Sequence, residues 1–191
     1  MTVKDVIYVE ANKFPTVVSC IDEELGNKWE HLLEFAFDVT KPFPDGSYES
    51  DINGVLMKDI PDVKSYYLPV HIHDQVLPTE ISIRFTKTIE LIKGMAGIYG
   101  LFLAVIGPNS VVPYHTDDRS NNTNTILIGV RVPSTNVDDI GFEINSTKYN
   151  IDKSIIFSSS IPHKAWNNTN QWWVSAILIA DINTLKLKDT A

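Results

Sequence analysis

Three residues of this chain have the types and spacing for metal chemistry: His115, Asp117 and His163. The first two stand in Val112-Pro113-Tyr114-His115-Thr116-Asp117, an extended stretch in which period-two alternation turns both side chains to one face. His163 comes much later, in Ser160-Ile161-Pro162-His163-Lys164-Ala165-Trp166-Asn167, just ahead of the last strongly apolar run. Two imidazoles and a carboxylate on one face of an iron atom leave three positions open, enough for a chelating cosubstrate and O₂. Taken alone, His-x-Asp usually describes no more than a solvated surface pair. The distant histidine and the strand-rich sequence around both segments favour the metal reading.

The elements that must position these residues lie after residue 100. Leu101 to Ile106 is a short apolar run closed by Gly107-Pro108, and Thr125 to Val132 is another, closed by Pro133. Gly141 to Asn145 and Lys148 to Ile151 flank Ser146-Thr147 as a hairpin, followed by Ser154 to Phe157 and a run from Trp172 to Asp181. Short strands at close spacing with turn residues between them describe a β-sandwich or barrel. The first half reads differently. Ile21, Leu25, Trp29, Leu32, Leu33 and Phe37 recur at helical spacing, so a helix is expected over most of 21–37. A second is expected from Thr79 to Ile92, started at Pro78-Thr79-Glu80, carried by Ile83, Thr86 and Ile89, and stopped at Gly94. Residues 40–75, with four prolines, read as irregular chain with short extended pieces. One domain over 1–191 is expected, with 1–99 a helical and irregular region flanking a β core at 100–182.

Composition removes several function classes. A formal net charge of −8 in 191 residues argues against nucleic acid and against an anionic membrane surface as partners. No run approaches the roughly 18 apolar residues of a membrane span. The one cysteine, Cys20, permits neither an intrachain disulfide nor a cysteine zinc site, and it reads as a small buried hydrophobe. Residues 1–13 lack the apolar run of a signal peptide, so the cytoplasm is the expected location. The Asn-x-Ser/Thr triplets at Asn121, Asn145 and Asn167 are then chance occurrences.

Residues 100 to 182 resemble the aspartyl/asparaginyl β-hydroxylase family of Fe(II)- and 2-oxoglutarate-dependent oxygenases. The resemblance is carried by a strand closed with Ile106-Gly107-Pro108, then Pro113-Tyr114-His115-Thr116-Asp117 and Ile128-Gly129-Val130-Arg131-Val132-Pro133. The Gly141–Tyr149 hairpin, Ile155-Ile156-Phe157 and His163-Lys164-Ala165-Trp166-Asn167-Asn168 complete it. It implies a mainly β fold with N-terminal helices, a double-stranded β-helix (jelly roll, cupin-like). It further implies iron held by His115, Asp117 and His163, 2-oxoglutarate as cosubstrate, and hydroxylation of a C–H bond in an amino acid, peptide or small metabolite.

The family's arginine for the far carboxylate of 2-oxoglutarate stands ten residues past the distal histidine, where this chain has Trp173. Other family contacts fall on Ala104, Thr123 and Thr125. A buried carboxylate needs a partner, and Arg131 is expected to supply it, since it shares strand parity with Thr125, Leu127 and Gly129. Thr125 adds a hydroxyl beside it. His71-Ile72-His73-Asp74 reads as a loop leaning over the site, which makes His73 a candidate substrate contact, along with Arg119 and Trp173. The missing arginine also leaves open a metal-binding β-helix that serves as a ligand-binding or scaffold protein without oxygenase activity.

Overall fold

A computed structural model describes residues 7–9, 14–117, 123–152, 154–181 and 184. Two antiparallel sheets pack face to face, the layout of a double-stranded β-helix. Strands β1 (Ile7–Val9), β2 (Phe37–Asp38), β3 (Ser65–Ile72), β4 (Ile98–Ile106), β6 (Asn124–Arg131), β9 (Ser154–Phe157) and β11 (Trp173–Ala180) form a seven-stranded sheet in the order β1-β9-β6-β11-β4-β3-β2. The four-stranded sheet runs β5-β10-β7-β8, from β5 (Ser110–His115), β10 (His163–Asn167), β7 (Ile140–Ile144) and β8 (Thr147–Tyr149).

The larger sheet is covered on both faces, which is why β11 reads as a nearly unbroken apolar run. Val174, Ala176, Leu178 and Ala180 face a helical layer, together with Leu101, Leu103, Val105, Ile126 and Ile128. That layer is α1 (Pro15–Leu25), a 3₁₀ turn at Glu30–Phe35, α2 (Thr79–Arg84) and α3 (Thr86–Lys93). Trp173 and Ile177 face the smaller sheet and meet Phe142, Ile144, Phe157 and Ala165.

The helix expected over 21–37 is therefore two shorter elements. Proline at the first helical position starts α1, and Gly26, at φ 64, ends it. Leu25, Trp29 and Leu32 remain buried because the 3₁₀ turn carries the same face onward. The second expected helix breaks at Phe85 (φ −106, ψ 34) into α2 and α3. Its buried face is Ile81, Phe85, Thr88 and Ile92, whereas Ile83 lies 72% exposed. The hairpin turn is Asn145-Ser146, one residue earlier than expected. Both residues have positive φ, the geometry that suits a two-residue hairpin loop.

The largest departure is β3. Eight residues of the stretch read as irregular pair with β4 along most of its length, and the register slips between Pro69 and His71, where the proline has no N–H to give. The N-terminal region thus extends the sheet of the β core as well as covering it.

Candidate metal centre

His115 ends β5 and His163 begins β10, and the two are directly opposite in register. Along β5 the ladder to β10 gains one residue between Val112 and His115, a bulge containing Pro113. The bulge leaves Val112 and His115 both buried toward the sheet interface and sends Tyr114 to the other face. There its hydroxyl donates to Glu143, which Lys164 Nζ also approaches at 3.2 Å. The hydroxyl bond, then Lys164, holds the Glu143 carboxyl below the usual carboxylate range. The Asp117 amide donates to Ser159 O at 2.9 Å, tying the residue after β5 to the loop before β10.

These constraints bring one ligand atom from each of His115, Asp117 and His163 within 4.8 Å of one another. The imidazole centroids are 4.4 Å apart, and the rings of Phe142 and Phe157 flank His163 at 5.4 and 5.1 Å. His115 Nδ1 lies 2.8 Å from Pro113 O, and His163 Nδ1 lies 2.8 Å from Ile161 O. A carbonyl can only accept, so each Nδ1 carries a proton and Nε2 is the ring nitrogen left to face a metal. His115 Nε2 is 3.7 Å from Asp117 Oδ1. Both histidines are buried, while the Asp117 side chain is 19% exposed and forms the outer side of the cluster. Two imidazoles and a carboxylate with these orientations fit a divalent transition metal.

The cavity at the cluster is lined mainly by apolar side chains, among them Ile106, Leu127, Phe142, Phe157 and Ile177, with Trp173 and Ser175 from β11. A groove bordered by Phe37, Phe43, Tyr48, Tyr67 and Phe102 reaches Asp117 from outside.

Other candidates from the sequence fall elsewhere. Arg131 is not in the cavity. The β6–β11 ladder shifts by one residue between Gly129 and Arg131, so Arg131 pairs with Val174, on the helix-covered face. Its Nε lies 2.5 Å from Asp22 Oδ1, and its Nη atoms donate to Gly26 O and Asp22 O. A bulge reversed the parity on which the expectation rested. Thr125 is buried on the inward side, opposite Phe157, but is not among the cavity-lining residues. His73 lies away from the cluster, 65% exposed beside Asp74 in a separate recess with Glu90 and Lys93; only its neighbour Ile72 borders the groove. Trp173 does line the cavity. Arg119 lies outside the described residues. The residue overlooked in the sequence is Ser175, whose signal was a hydroxyl inside an otherwise apolar strand.

The Trp166-Asn167 pair in the sequence motif is architectural. Trp166 covers Gly141 so closely that a Cβ there would fall 2.1 Å from the indole, and its Nε1 donates to Val137 O. Asn167 Nδ2 donates to Ile106 O, Gly107 O and Gln171 O, binding the end of β10 to the end of β4. Asn167 is fully buried, so it is no glycan acceptor.

A jelly roll carrying His-x-Asp and a distal histidine on neighbouring strands defines the class of non-haem metal oxygenase folds. A family model described as aspartyl/asparaginyl beta-hydroxylase matches residues 56–183, and the chain belongs to that family of hydroxylating oxygenases. No protein of curated function matches. Among solved structures, the fold is similar to a prolyl hydroxylase from Trichoplax adhaerens bound to a hypoxia inducible factor peptide fragment (TM-score 0.51, 10% identity, 94% of this chain and 84% of that one). It is also similar to AviO1 from Streptomyces viridochromogenes Tue57 (TM-score 0.50, 12% identity, 95% and 91%). A third is the non-heme alpha ketoglutarate dependent epimerase SnoN from nogalamycin biosynthesis (TM-score 0.50, 12% identity, 91% and 76%). At these identities the likeness concerns the fold. Among the described residues, no helix is long and apolar enough to cross a membrane.

Proposed function

We propose that this protein is an Fe(II)- and 2-oxoglutarate-dependent hydroxylase in which His115, Asp117 and His163 hold the iron. The observation that carries the reading is the pair of backbone-tied imidazoles, which bring one ligand atom each to within 4.8 Å of the Asp117 carboxylate at the end of a largely apolar cavity. Iron there would supply O₂ activation coupled to oxidative decarboxylation of 2-oxoglutarate to succinate. The residues of the chain orient the ligands, exclude water through Leu127, Phe142, Phe157 and Ile177, and leave access on the side of Asp117. The aromatic groove at Asp117 supports a small-molecule or peptide substrate with an apolar portion near the C–H bond to be hydroxylated. The single cysteine supports a cytoplasmic setting.

The test is metal-linked stability followed by turnover. Metal that binds the folded state alone stabilises it by mass action, about 2.7 kcal/mol at a hundredfold excess over Kd. Anaerobic Fe(II), or Mn(II) as an inert substitute, is expected to raise the melting temperature. The Fe(II) protein with oxygen and 2-oxoglutarate is expected to release succinate. An unchanged melting temperature would end the metal assignment, and metal binding without succinate release under any substrate would end the oxygenase assignment.

A further inference from the structure

Trp173 and Ser175 stand two residues apart on β11, and both line the cavity that holds the ligand cluster. They are 2% and 1% exposed, and neither Trp173 Nε1 nor Ser175 Oγ has a hydrogen-bond partner. Buried polar groups are nearly always partnered, because a donor that gives up water without replacement forfeits a hydrogen bond. Two such groups on one wall of one cavity, across from the metal ligands, point to a ligand that folding alone does not provide. Among the described residues lining this cavity there is no lysine or arginine, and Arg131 is committed to α1 on the opposite face of the sheet.

We propose that Trp173 Nε1–H and the Ser175 hydroxyl are the donors that hold the far carboxylate of the iron-chelating oxo-acid, a neutral anchor where a cation would otherwise stand. This rests on the iron and 2-oxoglutarate reading above. The two histidines belong to the four-stranded sheet, Asp117 follows its strand β5, and β11 belongs to the seven-stranded one, so a chelator reaching from the metal across the inter-sheet gap arrives at β11. The indole N–H donates to one carboxylate oxygen and the hydroxyl to the other. Selectivity then follows from the donors: an oxo-acid without an acceptor at its far end leaves both unpaired, and sites built on hydrogen bonds reject such analogues strongly.

The experiment titrates the Fe(II) protein, without oxygen, with 2-oxoglutarate and with 2-oxopentanoate. The latter has the same chain length with a methyl group in place of the far carboxylate. Binding is read from the visible charge-transfer band of the chelate. The parent is expected to bind 2-oxoglutarate at least about tenfold more tightly than 2-oxopentanoate. Trp173→Phe and Ser175→Ala are each expected to weaken 2-oxoglutarate about 5- to 30-fold while changing 2-oxopentanoate about twofold or less. Metal-free Ser175→Ala is expected to melt no lower than the parent, since it loses a hydroxyl that has no partner. That result also separates a ligand donor from a residue that merely supports the fold.

If both variants bind 2-oxoglutarate like the parent, the anchor is wrong and the iron reading stands. A parent that binds the two acids equally overturns the anchor as well. If the iron-loaded parent forms no band with either acid, the anchor falls together with the 2-oxoglutarate reading.

Discussion

The two faces of the seven-stranded sheet are packed with similar apolar side chains, yet they place their polar groups differently. On the helix-covered face, Arg84 donates to Leu25 O and Arg131 to Asp22 O and Gly26 O, so two arginines serve carbonyls that the end of α1 would leave unpaired. On the face toward the smaller sheet, Trp173 and Ser175 keep unpartnered donors opposite three crowded metal-ligand groups. The first face spends its guanidinium Nη donors on holding the fold, and the groups left unpartnered in its helical layer, Arg84 Nε and Thr88 Oγ1, do not line the cavity at the ligand cluster. The second gathers its unpartnered donors on one wall of the cavity beside the metal ligands, as the anchor proposed above requires.

The comparison breaks most sharply at the ligands. His163→Ala and His115→Ala are each expected to abolish stoichiometric Fe(II) binding and to erase the metal-dependent rise in melting temperature. Equilibrium binding under anaerobic conditions checks this, and parent-like affinity in both variants would move the metal elsewhere. Asp117→Gly should be milder, weakening the site without removing it.

A smaller effect should appear on the other face, and in a different quantity. Arg131→Ala loses its ion pair with Asp22 and two bonds to helix-end carbonyls, with an expected cost of about 1–3 kcal/mol in denaturant unfolding. Fe(II) and 2-oxoglutarate affinities should stay those of the parent. An Arg131→Ala protein of normal stability that cannot bind 2-oxoglutarate would reverse the assignment of the two faces.

The smallest effect concerns the outer side of the four-stranded sheet. The folded Glu143 carboxyl titrates below its ordinary range, chiefly through the Tyr114 hydroxyl and then Lys164. Its stabilisation is therefore complete above the unfolded value of about 4.3 and is lost as pH falls through the lower folded value. In metal-free protein, Glu143→Gln should flatten the decline of melting temperature on acidification while leaving metal binding near neutrality unchanged. An acid limb as steep as the parent's would show that other carboxylates govern it.

Much of this division was readable in the residues, and the failures share a physical cause. The bulge at Pro113, an interruption of alternation, turns His115 toward the core, while the strands at 101–106, 125–132 and 154–157 lie where the apolar runs lie. Alternation failed at Arg131 because one extra residue in β6 reverses parity, and nothing in Gly129-Val130-Arg131 announces the bulge. Strand β3 was hidden by Pro69 and by its mixed composition; its pairing with β4 is a long-range property that local pattern does not carry. The apolar spacing over 21–37 runs past the end of α1, which Pro15 and Gly26 bracket, because the 3₁₀ turn carries the same buried face onward. The donors of β11 were illegible for another reason. A tryptophan and a serine in an apolar run look like packing until the absence of partners can be seen.

The placement of ligands and donors on different sheets has a mechanical consequence. Packed sheets stand about 10 Å apart, and here that separation is maintained by Leu127, Phe142, Phe157 and Ile177, the same side chains that line the cavity. The core between the sheets thus behaves as a gauge block: its thickness sets how long a molecule must be to reach from the ligand strands to β11. Thinning the block at Leu127 or Ile177 would reset the length of ligand that fits, with no change to any atom that binds it.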